Sequence, residues 1–386
     1  MASDWKLAWL HQEETTTTYR PTAAEIDLTA IRDNLRAIRA CTPLGTQVIG
    51  VVKADAYGHG AVRVAAVLEQ EHVQLLAVAT PDEAVDLRDS GITAEILVLG
   101  HSPVDFVSYA VANNVALTTV NEATTAMYGA AAGTHTVRLH YNVDTGMGRA
   151  GVPADQATGQ ILRSTGVQHV EIVGLYSHFA CADSDPAFTG LQTARFAEVV
   201  REVRAGGLRP ALVHLANSAG MFTCPGSLLD GVRPGILLYG CPPVPSPTCP
   251  VRPALALRTE LDMVKELPSG HGIGYGRTFI TDRPIRMGLI PIGYADGYSR
   301  ALSNKAHVIV RGLFAPVVGR VSMDVCAIDV TDVPAAVPGD RVTLIGEQDG
   351  LAITAEDLAL LIGTIAYEVL TGITKRVPRV FLDQRA

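Results

Sequence analysis

No stretch of eighteen or more apolar residues occurs anywhere in this chain, so a transmembrane helix is not among the expected elements. The first twenty residues carry Asp4, Glu13 and Glu14 without a continuous apolar core, and no secretory signal is read there. Cysteine is sparse, at positions 41, 181, 224, 241, 249 and 326, with no Cys-x-x-Cys pair and no Cys/His cluster at zinc spacing. Neither a disulfide scaffold nor a metal site is expected, and reduced cytoplasmic thiols are. Positive charge is not in excess either. A formal net charge of −8 and a pI near 5.8 argue against nucleic-acid or acidic-membrane binding. No Gly-x-Gly-x-x-Gly opens the first helix, which weakens a dinucleotide-binding reading.

What is present is a well-packed globular chain of 386 residues, 48% hydrophobic and 18% charged, long enough for two domains. Residues 1–18, ending in four threonines, read as a flexible leader. From Pro21 to about Tyr239, short apolar runs recur at 48–52, 75–79, 95–99, 115–120, 136–143, 171–177, 212–216 and 231–239. Between most of them lie helical stretches rich in Ala, Leu, Glu and Arg, at 61–70, 81–90, 104–113, 122–132 and 189–205. Eight strands alternating with helices predict an α/β fold, a (βα)8 TIM barrel over 19–252, with a doubly wound open sheet as the competing architecture. The segment 241–253 carries six prolines and reads as a stiff linker, its first part (241–252) counted with the barrel. Beyond it the hydrophobic period switches to two, as in His307-Val-Ile-Val-Arg, so 253–386 is expected to be a mostly β C-terminal domain with one late helix near 354–370.

The chemistry collects at the carboxyl ends of the predicted strands, where a parallel barrel gathers its functional loops. The run Val48-Ile-Gly-Val-Val delivers a lone amine, Lys53, to the end of the first strand, with Tyr57 in the Gly-rich turn that follows. An amine at the mouth of a buried strand is costly to desolvate, which lowers its pKa and suits it to attack a carbonyl; a strand-end lysine that merely snorkels to solvent is the plainer alternative. Later strands end in Leu99-Gly-His101, Asn142 to Arg149, Ser177-His178, His214 to Asn217-Ser218, and Arg233-Pro-Gly235-Ile236. One amine, two guanidinium groups, histidines and small donors converging in a basin describe a site for an anionic carbonyl cofactor.

These segments make the chain similar to the bacterial alanine racemase family, from about Arg20 to the end. They are Val-Val-Lys-Ala-Asp-Ala-Tyr-Gly-His-Gly at 51–60, Asp-Thr-Gly-Met-Gly-Arg at 144–149, Ser-His-Phe-Ala at 177–180, Ala-Asn-Ser-Ala at 216–219 and Val-Arg-Pro-Gly-Ile at 232–236, followed by Gly-Tyr-Gly-Arg-Thr-Phe at 274–279, Gly-Tyr-Ala-Asp-Gly-Tyr at 293–298 and Val-Ser-Met-Asp at 321–324. The resemblance implies pyridoxal 5'-phosphate held as a Schiff base on Lys53. It assigns Tyr57, Ser218 and the amides of Gly235 and Ile236 to the phosphate, counts Leu99 and Asn217 among the cofactor-binding residues, and sets Arg233 opposite the pyridine nitrogen. A guanidinium accepts no proton, so the ring nitrogen would stay largely unprotonated and side reactions would be restrained.

Two bases are further implied, Lys53 on the D-alanine face and Tyr275 on the L-alanine face, with His178 linking Tyr275 to Arg233. Tyr275, Tyr294, Met323 and Asp324 would cross from the partner of an obligate homodimer, and Arg149 would clamp the substrate carboxylate. Two positions depart from the family pattern. Asn142 stands where many relatives carry a carbamylated lysine, so a chloride or the amide itself is expected to orient Arg149. Lys375 stands where many carry a tyrosine near the phosphate, which keeps serine beside alanine as a conceivable substrate. A barrel-type decarboxylase, disfavoured by Arg233, and a non-catalytic cofactor-binding protein, disfavoured by the second domain, complete the alternatives. D-alanine for peptidoglycan precursors is the implied product.

Overall fold

The computed structural model describes residues 19–383, and the leader expected at 1–18 lies outside them. The chain divides into two units. One is residues 30–252; the other combines the described residues through Thr29 with those from Pro253 onward.

Residues 30–252 form the parallel barrel. Strands Leu75–Val78, Glu95–Val98, Val115–Thr119, Val137–Asp144, Val170–Tyr176, Leu212–Asn217 and Gly231–Arg233 pair in chain order. The ring closes through residues 47–51. Gln47–Val48 pairs with Gly231–Arg233 on one side, and Gly50–Val51 pairs with Leu75–Val78 on the other. Buried positions run almost without a break along the middle strands, as expected when both faces of a parallel strand are covered. Outside the ring, Ile161 from helix Ala154–Ser164 and Phe196, Val199 and Val203 from helix Pro186–Ala205 join Tyr141, Leu175 and Val213 in one apolar cluster.

Local chemistry explains several boundaries. Thr80 and Glu83 form a capping box at the start of helix Pro81–Asp89. Asn121 and Asp185 each accept a hydrogen bond from the third residue of the helix they precede. The last strand ends at Arg233, short of the 231–239 read from the apolar run. Pro234 follows, and the amides of Gly235 and Leu237 turn aside to donate to Ser218 Oγ, at 3.0 and 3.3 Å.

The other unit holds a six-strand path, ordered Leu313–Pro316, His307–Val310, Arg341–Gln348, Leu255–Glu260, Ala23–Asp27 and Arg379–Leu382. Strand Ala23–Asp27 corrects the reading that begins the barrel at residue 19. It pairs antiparallel with Leu255–Glu260 and parallel with Arg379–Leu382, contacts over a sequence distance that no local pattern reveals. The late helix expected over 354–370 is two helices, Ala355–Ile362 and Ala366–Thr371, because Gly363 takes a left-handed cap conformation between them. A three-stranded sheet of Met263–Leu267, Ile285–Ile290 and Cys326–Asp329, and a hairpin of Gly272–Ile273 with Phe279–Ile280, complete the unit. No helix among the described residues is long and apolar enough to cross a membrane.

Inside the barrel, the register shift beside His140 sets that residue against Gly174 on the neighbouring strand. A Cβ at Gly174 would lie 2.2 Å from His140 Nδ1, so the missing side chain is what admits the imidazole. Gly174→Ala is expected to cost about 1–3 kcal/mol by overpacking and to lower the calorimetric unfolding midpoint by several degrees. An unchanged midpoint would show that the histidine ring moves freely.

Candidate active site

Lys53 follows the barrel's first strand and opens an unusual turn. Ala54, Asp55, Ala56 and Tyr57 all hold φ between 52° and 55° with ψ between 38° and 51°. Four consecutive non-glycine residues in left-handed helical geometry carry a strain of roughly 1–2 kcal/mol each. Surrounding contacts hold the turn in place. Glu83 accepts from the Ala54 amide at 2.6 Å and from Ala79 at 2.7 Å, and Asp55 Oδ1 accepts from the Ala61 amide at 2.7 Å. Behind it the Tyr57 and His59 rings lie 5.0 and 4.5 Å from the ring of Tyr239, whose hydroxyl donates to the Val51 carbonyl at 2.9 Å. Burial holds the Lys53 amine below its ordinary pKa, and the charges of Arg149 and Arg233 add to the effect while Glu83 opposes it.

Arg233 occupies the centre of the barrel, almost wholly buried. Its Nη2 donates to the carbonyls of Ser177 at 2.6 Å and Leu215 at 3.0 Å, and to His178 Nδ1 at 3.2 Å. Its Nη1 donates to the His214 carbonyl at 3.1 Å and to His214 Nδ1. The guanidinium also lies over the Tyr176 ring, 5.3 Å from its centroid. Burial lowers its pKa to about 10, which leaves it cationic at neutral pH.

Because Arg233 has only donors, both imidazoles must accept on Nδ1 and carry their proton on Nε2. His214 Nε2 then donates to His140 Nδ1 at 3.0 Å. Burial first, and Arg233's charge among the further causes, hold all three rings neutral. His178 and His140 fall to about 3, and His214 well below its usual range.

Around this centre, Ser218 accepts the amides of Gly235 and Leu237, as above, and its own hydroxyl proton remains to be given. A Cβ on Gly235 would come 2.3 Å from the Tyr57 hydroxyl oxygen, so the missing side chain is what lets the phenol pack against this backbone. Asn217 accepts from the Gly220 amide at 2.9 Å and fixes the loop after its strand. Ile236 is buried beside Gly235. The Leu99 carbonyl accepts from the Tyr176 hydroxyl at 3.2 Å. Asn142 is buried on strand Val137–Asp144, and Arg149 is exposed beyond the turn in which Asp144 accepts from the amides of Gly146, Met147 and Gly148.

The remaining expected residues belong to the β unit. Tyr275 sits at the tip of hairpin Gly272–Ile273/Phe279–Ile280, between Gly274 and Gly276 at φ 68° and 72°, and is 71% exposed. Tyr294 and Met323, at 41% and 51% exposure, lie on adjoining loops, since Tyr294 N donates to Ser322 O and Ala295 N to Met323 O, each at 3.0 Å. Asp324 pairs with Arg376 at 2.9 Å, beside exposed Lys375. The buried Asp296 carboxylate braces the same region, pairing with Arg20 at 2.7 Å and Arg376 at 3.5 Å.

Sequence reasoning had not singled out His140, Tyr176, Glu83 or Tyr239. His140 stands two residues before Asn142, and the strand period puts both on one face; that alternation is the signal that finds it. Glu83 is legible only as the capping-box partner of Thr80, which does not reveal that it also holds the turn after Lys53, and Tyr239 carries no local signal.

The comparisons follow the same division of the chain. Residues 26–243 match the family model described as alanine racemase, N-terminal domain, and 254–381 that of the C-terminal domain. An alanine racemase of Desulfovibrio desulfuricans is 43% identical over 371 residues, covering 94% of this chain and 99% of the relative. Among solved structures, an alanine racemase of Clostridium difficile 630 superimposes with a TM-score of 0.90 at 34% identity, covering 95% of this chain and 97% of that one. The Bacillus anthracis alanine racemase with bound L-Ala-P gives 0.87 at 38% identity, covering 96% and 97%.

The three neutral imidazoles set an acid limit on stability. Below about pH 6.5 the unfolded chain protonates these rings while the folded chain does not, so stability falls as pH drops toward 3. Urea unfolding followed from about pH 7 to about pH 5, above most carboxylate titration, should show this slope, and His140→Gln should make it shallower. An identical slope would mean that His140 is protonated in the folded state.

Proposed function

The chain belongs to the alanine racemase family, and from that premise we propose that it interconverts L-alanine and D-alanine by a two-base mechanism on pyridoxal 5'-phosphate. The observation that carries this reading is Arg233, fixed by barrel carbonyls and touching His178, in the same barrel that presents the depressed amine of Lys53.

The residues fit the cofactor. The Tyr57 hydroxyl packed on Gly235 and the Ser218 hydroxyl, with the Ile236 amide beside them, gather donors suited to a phosphate. Asn217 fixes that loop, and Leu99 would line the wall. Arg233 would stand opposite the ring nitrogen and, having donors only, would leave it unprotonated. Lys53 would hold the cofactor covalently. When bound, pyridoxal phosphate supplies the electron sink that acidifies the α-C–H of an amino acid.

The proton work belongs to side chains. Lys53 Nζ takes or returns the α-proton on the D-alanine face, and Tyr275 of the partner subunit does so on the L-alanine face. A tyrosine near neutral pH needs help as a base. His178, neutral and with Nδ1 engaged by Arg233, offers Nε2–H to the phenolate oxygen. The prominence of Tyr275 on its hairpin supports its use by a second copy in a homodimer. Arg149 receives the substrate carboxylate in a bidentate fork, with Tyr294 and Met323 of the partner subunit closing the pocket and a chloride beside Asn142 orienting the arginine. D-alanine for peptidoglycan precursors, made in the cytoplasm, is the output of this reading.

A chiral assay with added cofactor, run over alanine, serine and other amino acids, should give alanine as the preferred substrate. Tyr275→Phe and Lys53→Ala should each abolish interconversion, with the cofactor's absorbance surviving in the first. Mixing the two inactive variants should restore activity, because one of the two shared sites in a mixed dimer is then intact; no recovery would remove the shared-site assignment. Replacing chloride with gluconate at constant ionic strength should raise KM for alanine. A KM indifferent to chloride discards the ion and leaves the Asn142 amide in its place.

A further inference from the structure

Two of the six cysteines meet. Cys41 ends the helix Leu28–Ala40, and its Sγ donates to the Thr248 carbonyl at 2.8 Å. The next residue is Cys249, fully buried, its amide closing a turn onto Ser246 at 3.0 Å, so Cys41 Sγ sits against the peptide bond that leads into Cys249. The same helix grips the linker further along. Asn34 Nδ2 donates to the Arg252 carbonyl and Asn34 Oδ1 accepts from the Arg252 amide, both at 2.9 Å, and Nδ2 also reaches the Leu238 carbonyl at 3.0 Å. The proline-rich segment is therefore laid along this helix by polar contacts, with a thiol pair at its centre. The chain passes between its two units within these elements, at residues 29–30 and 252–253.

We propose that Cys41 and Cys249 form a disulfide by exchange with an oxidised small thiol, fastening the proline-rich linker to the end of helix Leu28–Ala40. Half-buried Cys41 reacts first. Its thiolate attacks the small disulfide, forms a mixed disulfide and releases one small thiol. Cys249 then gives up its proton to solvent, attacks Cys41 Sγ and expels the second small thiol. The protein loses two hydrogens and the reagent is reduced to two thiols. Burial, reinforced by Cys41, pushes the Cys249 thiol up to about 12, so closure is the slow step and quickens as pH rises. The consequence is mechanical and independent of the proposed reaction.

The test treats the full-length, cofactor-loaded protein with oxidised glutathione and maps cysteine peptides by mass spectrometry without reduction. A linked pair of peptides containing Cys41 and Cys249 is expected, formed faster at alkaline pH. The unfolding midpoint should rise by several degrees and return on adding dithiothreitol. Cys249→Ser should instead retain one glutathione on Cys41 with no such rise, and Cys41→Ser should give neither product. A glutathione adduct on wild-type Cys41 that never closes, even at alkaline pH, overturns the proposal, as does a linkage between other cysteines.

Discussion

The guanidinium of Arg233 is the fixed charge on which the barrel's interior depends. Three backbone carbonyls and two imidazoles accept from it, so its position is set by strands rather than by a mobile loop. A cation placed there has consequences along every neighbour. It obliges His178 and His214 to accept, which hands the tautomer on from His214 to His140 and keeps the group neutral. It also helps to depress Lys53, although burial does most of that work. A charge of the opposite sign at the same point would reverse each of these effects, and the racemisation proposed here relies on its being positive.

The second constraint is strain. The left-handed turn after Lys53 is not a conformation that Ala-Asp-Ala-Tyr would choose in isolation. It is held by Glu83 and Asp55 on one side and by the Tyr57, His59 and Tyr239 rings on the other. The turn leaves Lys53 at the strand end and brings the Tyr57 hydroxyl to the bare backbone of Gly235. Strain of this kind persists only where surrounding structure over-determines it, and such places are commonly functional. The β unit follows a different logic. Its chemically interesting residues, Tyr275, Tyr294 and Met323, lie on exposed tips and loops, braced from below by the buried Asp296 and its arginine partners.

Much of this was legible from residue order. Strand positions in the barrel follow from apolar runs bounded by polar turns, and its candidate site residues are those met on reading each run to its carboxyl end. The reading failed where distant contacts overrule local pattern. The apolar stretch 234–239 stays out of the sheet because Ser218 captures its amides. Residues 23–27 look like a lead-in to the barrel yet pair with strands more than two hundred residues away.

Residue order alone therefore settled the alternation of strand and helix, the change of period after the proline-rich segment, and which side chains stand at strand ends, since all three depend on spacing along the chain. Folding decided the rest: the left-handed twist after Lys53, the neutral state of three histidines, the vacancy at Gly174 that admits His140, and the meeting of Cys41 with Cys249. Each of these arises from burial and from contacts between residues far apart in sequence, and desolvation and steric fit exist only once those residues share a space.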